Sequence, residues 1–202
     1  MALFGTLDKL QRWTPPPHWN VITTFDAHTG GEPLRIVMSG FPDLPGDTIL
    51  SRRRLLKEKY DHLRSAIMWE PRGHREMYGC ILTPPVTRDA HFGVLFMHNE
   101  GYSTMCGHGI IALATVAVET GVVPVQEPET VVRIDSPAGL VIAHARVRGG
   151  RATSVFFRNV PSFVVSLDDT IEVPGIGNIR YDLAFGGAFY AYVQAGQRMS
   201  RT

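Results

Sequence analysis

A thiol, two glycines and an imidazole stand together in the run Ser103-Thr104-Met105-Cys106-Gly107-His108-Gly109. Directly behind it, Ile110, Leu113, Ala114, Ala117 and Val118 recur at helix spacing. Cys106 is therefore predicted at a helix N-terminus. Unpaired N–H groups and the helix dipole favour negative charge there, which lowers a thiol pKa and makes the reactive thiolate. The same N–H groups can hold a substrate carboxylate. Gly107 and Gly109 leave room for a ligand to reach the backbone. The segment thus offers a base or nucleophile beside an anion site. His108 reads in four ways: a polar contact to a substrate amine, an electrostatic partner for the thiolate, a surface or cap-forming side chain, or an activator of Cys106 as in thiol hydrolases. Residues two apart on a helix do not face each other, which counts against direct pairing with Cys106.

Other polar segments are less pointed. Asp26-Ala27-His28-Thr29-Gly30-Gly31-Glu32-Pro33 reads as a turn between two strands, structural or functional. Glu70 to Gly79 is a second polar loop, and its Tyr78 either lines a small pocket or packs as an ordinary aromatic. His98 to Tyr102 ends the strand feeding the Cys106 loop. Cys80 lies mid-strand among apolar neighbours and is expected in the core. No HxxxH or CxxC pair is present, so no metal site is expected. Gly175-Ile176-Gly177 lacks the third glycine and following helix of a dinucleotide site.

The elements that must position these residues are mostly short and β-branched. Strands are predicted at Val21–Phe25, Leu34–Ser39, Tyr78–Leu82, Phe92–His98, Val131–Ser136, Leu140–Val147, Thr153–Arg158, Phe163–Ser166, Ile179–Leu183 and Ala188–Val193. Helices are predicted from Asp47, as N-cap, to Leu63, and at Gly107–Thr120, ended by Gly121. Few helices among many strands is an α+β pattern. The 202 residues, 44% hydrophobic, suit one large or two small domains. A net charge of +1 gives no electrostatic case for nucleic acid or an anionic membrane. The basic run Arg52 to Lys57 reads as the solvated face of a helix. Two cysteines make no disulfide framework. Met1 to Asn20 lacks a signal-peptide core and reads as a loose arm, and no apolar stretch is long enough to span a bilayer. A reducing, cytoplasmic setting is the expectation.

Four blocks occur together and in order: Asp26 to Arg35, Glu70-Pro71-Arg72-Gly73-His74, Met105-Cys106-Gly107-His108-Gly109, and Ala184-Phe185-Gly186-Gly187-Ala188-Phe189-Tyr190-Ala191. This set resembles the proline racemase family, which includes hydroxyproline epimerases and trans-3-hydroxy-L-proline dehydratases. Arg75, Tyr78 and His98 to Tyr102 bring it nearest to the dehydratase branch. The resemblance implies a diaminopimelate epimerase-like fold of two similar halves, each a strand-rich sheet wrapped around a central helix, with the site between them. It implies Cys106 as the first of two acid/base residues. Substrate would be bound by the N–H groups of Gly107 and His108 on the carboxylate, by Gly109 beside them, by the His108 side chain near the ring nitrogen, and by Tyr78 against the ring. No metal, flavin or pyridoxal cofactor is implied, and the substrate would be a small proline or hydroxyproline.

The chain departs from the family in length. The second half, with the other acid/base residue (cysteine in racemases and epimerases, threonine in dehydratases), is not read here. The expected division is an arm at 1–20, a first domain at 21–193 and the start of a connecting segment at 194–202. An isolated monomer is expected to be inactive or nearly so. Two rival readings stand beside this one. One is a thiol hydrolase or acyl transferase with Cys106 as nucleophile and a remote histidine as base. The other is a non-catalytic half, either a binding module or a chain whose open apolar face pairs with another chain or a second copy, as in a homodimer.

Overall fold

The computed structural model of the chain describes residue 9 and residues 12–198. Its elements run β1 (Thr23–Thr29), β2 (Glu32–Ser39), α1 (Ile49–Lys59), α2 (Asp61–Met68), β3 (Tyr78–Thr83), β4 (Phe92–His98), β5 (Gly101–Ser103), α3 (Gly107–Glu119), β6 (Glu129–Ser136), β7 (Gly139–Arg148), β8 (Arg151–Arg158), β9 (Phe163–Val173), β10 (Gly177–Phe185) and β11 (Phe189–Tyr192), with a 3₁₀ turn at Ala195–Arg198. This is the α+β pattern that the alternation of short strands and sparse helical periods predicts.

The main sheet has the order β1-β2-β3-β4-β6-β7-β8, with β5 paired to β4. The β2–β3 and β4–β6 pairs are parallel and the rest antiparallel. Helix α3 touches both β1 and β8, the opposite edges of this sheet, so the sheet curls around it. The sequence of α3 requires that position. Gly109, Ile110, Ala112, Leu113, Ala114, Ala117 and Val118 are all buried, leaving no wide polar face to show to water. Its alanines let the strands approach closely. Gly121, at φ 72°, ends the helix in the left-handed conformation typical of such a stop. Cys80, Val94 and Phe96 point inward to α3, and Ile81, Leu95 and Met97 point outward to α1 and α2. Strands β3 and β4 are thus buried on both faces, which explains their unbroken apolar runs. Cys80 is fully buried, as expected.

Several boundaries move. The predicted Asp47–Leu63 helix is two helices, and its cap is Thr48. The Thr48 hydroxyl accepts from Ser51 N at 3.0 Å while Ser51 Oγ accepts from Thr48 N at 3.2 Å, a reciprocal capping box. The break at Tyr60 re-aims the chain, so that α2 delivers Arg64 to the β4–β5 turn. There its guanidinium donates to the His98 and Asn99 carbonyls while holding Asp61. The predicted polar turn at Asp26–Pro33 shrinks to Gly30-Gly31, at φ 60° and 100°, and the residues around it belong to β1 and β2. Strand β5 has no counterpart among the predicted elements.

A second sheet, β11-β10-β9, follows. Phe163, Val164, Leu167, Ile171, Phe189 and Tyr192 on it are each more than half exposed. Among the described residues this sheet carries the densest apolar exposure. At the far end of the main sheet, Asp135 is buried and accepts from Val86 N at 2.7 Å, Thr87 N at 2.8 Å and Thr87 Oγ1 at 2.6 Å. That carboxylate pins the 84–90 loop to β6.

Candidate active site

Cys106 sits at the N-terminus of α3, but outside the helix. It is the N-cap residue, with extended φ −143° and ψ 111°. An extended N-cap swings its side chain over the first turn. Its sulfur therefore lies 3.3 Å from His108 Nδ1 and 3.7 Å from Nε2. The rule that residues two apart do not meet applies to two helical residues, and Cys106 is not one. Direct pairing, which the spacing argued against, is present.

His108 is held from three sides. Its Nε2 lies 3.3 Å from the Pro33 carbonyl oxygen. The Thr29 hydroxyl donates to its backbone carbonyl at 2.9 Å. The Tyr78 ring meets it edge-on, with centroids 4.9 Å apart. Tyr78 is itself fixed by donating to Ser103 Oγ at 3.1 Å and by its tilted contact with His98. Strands β1, β2 and β3 thus converge on the first turn of α3. They bring Tyr78, Cys106 and His108 into one contact chain. Gly107 faces Phe157, and Gly109 sits where a Cβ would lie 2.6 Å from Phe96 Cε1 and 3.2 Å from Cys106 Sγ. Gly109→Ala is expected to lose about 1–3 kcal/mol of stability through overpacking against a fully buried ring, read as a lower urea midpoint.

In front of this chain of contacts opens a cleft of about 650 Å³, lined by Glu32, Trp69, Tyr78, His98 and His108 among others. Cys106 lies behind His108 and is only 6% exposed. Spacing gave no sign of Glu32 or Trp69 as parts of this wall, or of the Pro33 carbonyl as a partner of His108. The density of polar residues in the Asp26–Pro33 block was the one available signal. The fourth sequence block arrives from the second sheet. Thr104 Oγ1 donates to the Gly187 carbonyl, and Asn159 Nδ2 donates to the Gly186 carbonyl at 2.9 Å, docking the β10–β11 turn beside the Cys106 loop.

The thiol does not behave as the helix N-terminus alone predicts. Burial pushes Cys106 up to about 11, the N–H groups of Gly109 and His108 pull it down, and the Glu32 carboxylate adds to the rise. Cys106 makes no capping hydrogen bond of standard geometry, so the N–H groups act on it weakly and desolvation wins. Burial likewise drives Cys80 and Tyr78 up and His98 down. A raised thiol stabilises the fold only while it stays protonated. The unfolded chain ionises first, so that stability is present below about pH 9 and is lost as pH climbs towards 11. The shift at Cys106 corresponds to about 2–3 kcal/mol. The thermal midpoint is expected to fall between pH 8 and pH 10.5, and to fall less in Cys106→Ser.

The constellation has relatives. Residues 24–201 match the family model described as proline racemase. The trans-3-hydroxy-L-proline dehydratase of Bacillus thuringiensis subsp. konkukian is 56% identical over 175 residues, 87% of this chain and 52% of that protein. The 3-hydroxyproline 2-epimerase of Burkholderia multivorans is 54% identical over 172 residues, 85% of this chain and 51% of that protein. A solved hydroxyproline epimerase from Agrobacterium vitis, with trans-4-hydroxy-L-proline bound, superposes with a TM-score of 0.78 at 35% identity, over 87% of this chain and 52% of that one. The chain spans about half the length of the curated relatives it matches. With the Asp26–Arg35 block and the Gly186-Gly187 turn both gathered at the Cys106–His108 segment and the family match running through nearly all of the chain, the protein belongs to the proline racemase family.

Proposed function

We propose that this chain supplies the Cys106 side of a site that removes the Cα proton of a proline-type amino acid, and that the reaction is dehydration of trans-3-hydroxy-L-proline to a pyrroline-2-carboxylate. The observation that carries the reading is the placement of Cys106, an N-cap thiol behind a cleft walled by Tyr78 and His108. In this reading the Gly107 and His108 N–H groups receive the substrate carboxylate, where helix dipole and unpaired donors favour it. The Gly109 N–H stays with the sulfur, whose thiolate it favours. Tyr78 packs on the ring, and the His108 imidazole lies near the ring nitrogen. The thiolate takes the Cα proton. The charge that develops spreads into the carboxylate, where the same donors hold it more strongly than they hold the ground state. The 3-hydroxyl then leaves as water. No metal or organic cofactor enters these steps, and a reducing, cytoplasmic setting keeps Cys106 a thiol.

The Burkholderia multivorans relative supports a second reading, 2-epimerisation, in which a second residue returns the proton on the other face. The exposed sheet β11-β10-β9 supports self-association into a homodimer, which size-exclusion chromatography reads directly.

The test follows the Cα proton in heavy water by proton NMR. The protein is incubated separately with L-proline, trans-4-hydroxy-L-proline and trans-3-hydroxy-L-proline, with Cys106→Ser as control. Slow, thiol-dependent loss of the Cα signal with a trace of a cyclic imine acid is the expected result, because this chain supplies one side of the site. An inverted centre would select the epimerase reading. No exchange on any of the three would remove proton abstraction from this chain.

A further inference from the structure

A buried thiol is a poor base until it loses its own proton, and a helix N-terminus that touches it weakly does not remove one. Something within reach must accept it. Among the described residues, His108 is the side chain in hydrogen-bond contact with Cys106 Sγ. The role of each ring nitrogen follows from its neighbour. The Pro33 carbonyl oxygen can only accept, so Nε2, 3.3 Å away, carries the hydrogen. A neutral imidazole then has its lone pair on Nδ1, the nitrogen nearer the sulfur, at 3.3 Å. The Thr29 hydroxyl on the His108 carbonyl and the Tyr78 ring edge keep the imidazole in that pose.

We infer that His108 is the internal base of Cys106: Nδ1 takes the thiol proton when the thiolate is needed, and the Pro33 carbonyl sets the tautomer that makes this possible. The assignment rests on the proton-abstraction reading above and adds to it an acceptor for the first proton. The S–H bond breaks and an Nδ1–H bond forms, giving thiolate and imidazolium with no change in total charge. The thiolate then takes the Cα proton, and S–H forms again. The proton left on His108 equals the one the departing hydroxyl takes up as water, so thiol and neutral imidazole are restored. His108 thus serves the sulfur first, and its role towards the substrate nitrogen begins as an imidazolium. The Glu32 carboxylate, in the same cleft wall, is placed to offset that positive charge.

The other titratable and charged groups around the pair are Glu32 from β2, Tyr78 and Cys80 from β3, and His98 from β4, with Arg75, Glu76 and Glu100 in the same cleft wall and Tyr190 of β11 acting on Tyr78. Burial holds Tyr78 and Cys80 protonated well into the alkaline range and His98 neutral at pH 7. Of these groups His108 is the one in hydrogen-bond contact with the sulfur, so assistance to the thiol traces to it.

The test is the rate of Cys106 alkylation by iodoacetamide from pH 5 to pH 10, read by mass spectrometry, in the unaltered chain and in His108→Gln. Fully buried Cys80 provides the unreacted reference. At pH 7 the variant is expected to react about tenfold more slowly, keeping only a rise at alkaline pH. Superimposable profiles would overturn the proposal. A second measurement needs no variant. The ring ¹⁵N shifts of His108 at pH 8 are expected to report hydrogen on Nε2, and hydrogen on Nδ1 would overturn it. Neither measurement uses a substrate. A His108-dependent profile without Cα exchange would retain the base and remove the enzyme reading, whereas exchange without that profile would do the reverse.

Discussion

Cys106→Ser is expected to slow Cα proton exchange by about 10³-fold, the middle of the range for loss of a positioned general base. Serine keeps the size and backbone needs of the position, so the loss is one of acidity. A hydroxyl gives up its proton far less readily than a thiol, and His108, 3.3 Å away, is too weak a base to compel it. Exchange rates from NMR in heavy water, taken beside thermal melts, separate lost chemistry from lost fold. A serine variant within tenfold of the unaltered chain would show that another group takes the proton.

Asp135→Ala is expected to be the most destabilising single change outside the apolar core, by about 3 kcal/mol. Removing the carboxylate strands two backbone N–H groups and the Thr87 hydroxyl at once. Asp135 also sits opposite Gly93 in the parallel β4–β6 pair, so the released loop lies beside a strand junction. Asp135→Asn keeps one acceptor oxygen but turns an amide towards donors, and about half the loss is expected there. Urea midpoints at constant m-value would measure both. An alanine variant with an unchanged midpoint would mean that water satisfies the loop.

Legibility differed by the range of the forces involved. Helix α3 was readable because its apolar residues, its small alanines and the Gly121 stop are all local. Strands β3 and β4 were readable because burial on both faces leaves continuous apolar runs. Strand β5 was not, since three residues carry no period and their pairing comes from β4. The break at Tyr60 was hidden because Leu56, Leu63 and Ile67 keep one helical stripe across it. At the site, the position of Cys106 was legible and its acidity was not. The N-terminal donors are local to the sequence. The desolvation that outweighs them comes with burial in the main core cluster, whose members, Leu34, Val94 and Val160 among them, come from distant parts of the chain. The contact with His108 depended on the φ and ψ of a single residue, which no spacing rule carries.

The N-cap geometry of Cys106 has an evolutionary edge. Serine, threonine, aspartate and asparagine are the residues that cap helices well, by about 1 kcal/mol over poor caps, and Cys106 makes no such bond. The most conservative replacement for the thiol is therefore also one that the helix prefers. Variants ranked by melting temperature would enrich serine at this position while emptying the site of its base. The thiol would persist only where selection reads turnover, and a library sorted for robustness alone would drift towards well-folded, silent proteins.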